Sequence, residues 1–91
     1  MMKIFKYALP PFGKFSLEVP KDAIFLDFKA QNNMPVIWVY VDGEQKEKET
    51  RNFVCYATGE DIPYGDRVNA IYLGTALFTN DTLVTHLFEL E

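Results

Sequence analysis

The sequence holds one cysteine, one histidine and one tryptophan among 91 residues, and its five glycines are scattered. A lone Cys55 excludes an intramolecular disulfide and reads as a small apolar side chain on a strand, in a reducing, cytoplasmic setting. One His and one Cys cannot supply a structural zinc site, and a cysteine nucleophile needs a His and an orienting partner beside it. No glycine opens a strand-to-helix turn of the kind that cradles phosphates. Glu60, Asp61 and Asp66 share a loop but lack calcium-loop spacing, so a solvated acidic loop is expected and no metal or cofactor. The longest apolar run, Val36 to Val41, is six residues, too short to span a bilayer. Lys3 and Lys6 break up the opening apolar residues, and Pro10 and Pro11 follow, so the apolar core of a signal peptide is missing. Basic residues are also short: 9 against 13 acidic, a net charge of −4. That argues against a nucleic-acid partner, whose affinity rests on Lys and Arg neutralising phosphates.

What is abundant is aromatic and β-branched character at period two. Eight Phe and five Tyr stand in a chain that is 48% apolar and 24% charged, a globular balance for one small domain over residues 1–91. Phe15, Leu17 and Val19 alternate with polar neighbours. Ile24 to Ala30, Val36 to Val41, Asn52 to Ala57, Ala70 to Phe78 and Leu83 to Leu90 are further strands. Residues 42–52 form a charged connection, 58–69 a turn-rich loop, and no segment carries a helical apolar stripe. About seven short strands with turn signals between them predict an all-β fold, a small antiparallel β-sandwich or barrel.

Two hairpins fix expected registers. Asn32-Asn33 suits a type I′ turn, because both residues tolerate a positive φ. With that turn Phe28 faces Ile37, Leu26 faces Val39 and Ile24 faces Val41, an apolar face expected in the core. The other face pairs Lys29 with Val36, Asp27 with Trp38 and Phe25 with Tyr40. Rings beside isolated charges are the composition interfaces favour, so Phe25, Asp27, Lys29, Trp38 and Tyr40 form a candidate partner-binding surface. A turn at Asn80-Asp81 sets His86 opposite Thr75 on an apolar face, where a lone His is expected to bond a hydroxyl or backbone group. Arg51 and Arg67 are candidate anion contacts.

Several short patterns recur together along the chain. They are Lys3-Ile4-Phe5-Lys6-Tyr7 with Leu9-Pro10, then Gln31-Asn32 with Pro35, Trp38 and Val41-Asp42. Phe53, Tyr56, Thr58-Gly59 and Ile62 follow, then Tyr72-Leu73-Gly74-Thr75 and the closing Val84, His86, Phe88 and Glu89. In these the full length resembles a family of short uncharacterised proteins of bacteriophages and their bacterial hosts. Members often carry Asn-Gly at the hairpin turn and a His after Thr-Gly; here those places hold Asn33 and Glu60. The resemblance implies context and no mechanism: small phage accessory proteins commonly act by stoichiometric binding of a host enzyme, a defence complex or a signalling nucleotide.

With no catalytic set, the leading expectation is a non-enzymatic binding protein that engages a host protein, with an anti-defence role among the possibilities. The alternatives are a small-molecule or nucleotide-sequestering protein and a structural or assembly protein. A homodimer is expected, because a short β domain has strand edges to protect.

Overall fold

The computed structural model describes residues 1–91. Its elements are β1 (Met2–Ala8), β2 (Gly13–Pro20), β3 (Ile24–Gln31), β4 (Met34–Asp42), β5 (Lys48–Ala57), α1 (Tyr64–Val68), β6 (Ala70–Phe78) and β7 (Leu83–Leu90). One sheet has the order β1-β4-β3 and the other β2-β5-β7-β6, with every ladder antiparallel. The two sheets stay separate, so the sandwich is the fold and the barrel is not. Phe28, Ile37, Val39 and Val41 come from the three-stranded sheet. Val19, Phe53, Cys55, Ala76, Phe78 and Leu87 come from the four-stranded one, and with Leu9 and Ala23 they form one core. Ile37 and Leu87 are fully buried, each worth roughly 1.5–3 kcal/mol.

The β3–β4 turn is as expected: Asn32 and Asn33 have φ of 51° and 62°. From Gln31 back to Asp27 the pairing also follows that turn, with Phe28 opposite Ile37 and Asp27 opposite Trp38. A bulge then shifts the register, so Phe25 pairs with Val39 and Ile24 with Tyr40. One extra residue, Leu26, reverses the facing of everything before it. Phe25 turns inward against the core, while Ile24 and Leu26, expected inside, are 57% and 46% exposed.

The β6–β7 hairpin behaves in the same way. Thr75 does face His86, but their face is the outside of the four-stranded sheet, while Ala76, Phe78, Thr85 and Leu87 face in and are buried. A second bulge between Tyr72 and Gly74 re-aims the strand start. Gly74 sits there at φ +155°, a conformation open to almost no other residue.

Two further segments depart from expectation. β5 begins at Lys48, inside the stretch read as a connection, because β2 pairs with it from Pro20 to Gly13. Backbone pairing, and not apolar alternation, makes Lys48 to Arg51 a strand. Within the 58–69 loop, Tyr64–Val68 closes a single helical turn after Pro63. Pro63 supplies the fixed φ that suits a helix start, and five residues with no buried side chain leave no periodic signal.

Candidate functional site

The outside of the three-stranded sheet is built from alternate residues of its strands, and the ladders align them in rows. Lys6, Trp38 and Asp27 form one row; Ile4, Tyr40 and Ile24 form the next. Trp38 is half-buried between the two charges, whereas Ile4 is 60% and Tyr40 38% exposed. The charges make only light contacts. The Lys6 ammonium reaches Gln31 Oε1 at 2.6 Å, and Lys29 Nζ lies 3.5 Å from Asp27 Oδ2. The other Asp27 oxygen accepts the Phe28 N–H at 2.8 Å.

Of the five residues expected on this surface, Asp27, Lys29, Trp38 and Tyr40 are together on it. Phe25 is not, because the Leu26 bulge turns it to the inner face. In its place the surface gains Ile24 and Ile4. The only signal for Ile4 lay in the alternation of Lys3-Ile4-Phe5-Lys6, which left the pairing of β1 with β4 unspecified.

The two arginines stand apart from each other and from this face. Arg51 points between the sheets, and its Nε and Nη2 donate to the two Glu89 carboxylate oxygens at 2.6 and 2.7 Å. Nη1 donates to the Ala23 carbonyl at 2.6 Å. The Glu89 hydrogen bonds hold the guanidinium pKa above its ordinary value. A bidentate carboxylate therefore already occupies the fork that an anion would need. Arg67 lies over the Tyr64 ring, 4.9 Å from its centroid.

A second cluster covers the outside of the four-stranded sheet. His86 Nδ1 lies 2.9 Å from Thr75 Oγ1 and Nε2 2.7 Å from Thr58 Oγ1, and the Tyr72 hydroxyl in turn bonds Thr75. The expected hydroxyl partner is thus present twice, and no carboxylate reaches the ring. Hydroxyls both donate and accept, so they satisfy both nitrogens of the imidazole whichever carries the proton.

Next to His86, Tyr56 is buried beneath the 58–69 loop and donates its hydroxyl to Asp66, which also meets Lys14 at 3.3 Å. Burial, then the hydrogen bond and charge of Asp66, push the Tyr56 phenol up to about 12. Chiefly through that same bond, the Asp66 carboxyl is held below its ordinary value. Cys55 on the inner face is pushed up to about 11 by burial, an inert thiol.

An open groove of about 380 Å³ runs beside Ser16, Asn52, Phe53 and Leu90. Ser16 Oγ donates to Asn52 Oδ1 across it at 2.6 Å, and the Phe15 and Phe53 rings stack on each other 5.4 Å apart. The helix α1 is the only helix, and none is long and apolar enough to cross a membrane.

The molecule is a two-sheet antiparallel sandwich, an all-β protein with an exposed aromatic and aliphatic face on its three-stranded sheet. The chain belongs to the family described as a domain of unknown function (DUF7352), whose model matches residues 1–91. No curated protein and no solved structure matches it.

Proposed function

We propose that this is a non-enzymatic binding protein whose contact surface is the outer face of the β1-β4-β3 sheet. One observation carries the reading: Ile4, Tyr40 and Ile24 stand in a continuous exposed row beside Trp38, with no other element packed over them. Ile4 and Ile24, 60% and 57% exposed, each have roughly 1–2 kcal/mol of apolar burial still to gain at a contact. Tyr and Trp are the residues that dominate interface energetics. Lys6, Asp27 and Lys29 form the polar surround that excludes water and sets register. The resemblance to phage and host proteins makes a bacterial host protein the expected target, engaged in the cytoplasm as an accessory or anti-defence function.

The test is capture from lysate of the host bacterium with matched surface variants. Trp38→Ala with Tyr40→Ala loses the captured protein while keeping the native far-UV spectrum. Leu77→Ala, which trims an exposed leucine on the other sheet, keeps it. Equal capture by both variants would move the contact surface elsewhere.

A further inference from the structure

The two rows of the outer sheet face have a symmetry that a foreign partner would not require. About the central strand β4, one row is antisymmetric in charge, with Lys6 on β1 and Asp27 on β3. The next is symmetric in shape, with Ile4 on β1 and Ile24 on β3. Sheets that stack face to face keep their strands within about 30° of each other. A two-fold axis along β4, lying between two such copies, carries the β1 of one onto the β3 of the other.

In that arrangement Lys6 stands over the partner's Asp27, and Asp27 over the partner's Lys6. Ile4 meets the partner's Ile24 at both ends of the neighbouring row, and Tyr40 and Trp38 meet their own copies at the axis. Within these two rows every contact is then either apolar on apolar or opposite in charge, as an isologous two-fold interface demands. In the flanking rows Lys29 stands over the partner's Ala8, and Asp42, bonded to the N-terminal ammonium, faces its own copy at the edge of the contact. The overall charge of −4 does not oppose this. The three strands carry Lys3, Lys6 and Lys29 against Asp27 and Asp42, so the acidic excess lies off this sheet, where salt screens it.

We propose that a second copy of the chain docks on this face, forming a homodimer through stacked β1-β4-β3 sheets. It rests on the reading of this face as a contact surface, and adds that self-association and host capture compete for it.

Charge reversal of the purified full chain, followed by sedimentation, tests the pairing with no lysate involved. Wild type sediments as a dimer at roughly 100 μM. Lys6→Asp and Asp27→Lys, each placing two like-charge contacts in the dimer, weaken it at least about tenfold when studied singly. Mixing these two variants restores association as a heterodimer, because both cross-contacts then become opposite in charge. Lys6 and Asp27 are exposed, and recovery in the mixture itself shows that both chains are folded. A monomeric wild type, single variants as dimeric as wild type, or a mixture that stays monomeric overturns the dimer. Host capture through this face is read separately in lysate, so a monomeric wild type that still captures sinks the dimer alone.

Discussion

Tyr56 is the side chain on which the 58–69 segment is anchored. The strand that carries it is central to its sheet, so its outward face is buried only because the segment lies across it and presents Asp66. The paired shifts give this anchor a pH window with two ends. A carboxyl depressed in the fold contributes stability above its unfolded value of about 3.9, and loses it as pH falls from there through the folded value. A phenol raised in the fold contributes below about 10 and loses its contribution as pH rises, here through about 12. Amide exchange across 58–69, taken relative to the intrinsic rate at each pH, is therefore expected to quicken below roughly pH 4. In Asp66→Asn it is faster at neutral pH and lacks the acid step. Tyrosinate absorbance should show one component near pH 12 that Tyr56→Phe removes. An acid step that persists in Asp66→Asn would contradict the anchor.

At the scale of elements the two bulges decide which residues face out. Phe25→Ala leaves a hole beside Val19, Val39 and Phe53, which line a small void with it, and is expected to cost about 2–3 kcal/mol. Leu26→Ala removes a largely exposed side chain and is expected to cost below about 1 kcal/mol. Urea unfolding of the two variants checks that order, and the reverse order would mean that the hairpin keeps an unbroken register. Period-two alternation made the strands and the Asn32-Asn33 turn legible, and with them the placement of Asp27, Trp38 and Tyr40. Alternation carries no mark of an inserted residue, so the inward turn of Phe25 was not legible. Nor was the facing of β6 and β7. Both faces of that hairpin are largely apolar, and only the overlying 58–69 segment and the opposing sheet tell them apart. Asn33 shows a finer case: its Oδ1 accepts the Thr79 N–H at 2.6 Å, tying the two hairpin tips together. A glycine at this turn would keep the backbone and lose that bond.

The whole molecule is two sheets treated differently on their outer sides. The four-stranded sheet is covered over Tyr56 by its own 58–69 segment, although Tyr72 and Leu77 on β6 stay exposed. The three-stranded sheet, made of β1, β3 and β4, has no such cover. The one tryptophan of the chain stands in the centre of that bare sheet, so it reports on the surface with no label added. The measurement that tests the account most directly is quenching of Trp38 fluorescence by a neutral quencher, followed from dilute to concentrated protein and then with captured partner. Contact through this face predicts that Trp38 becomes less accessible to quencher in step with association. Association that leaves Trp38 as accessible as in the dilute protein would place the contact on another surface and contradict the account.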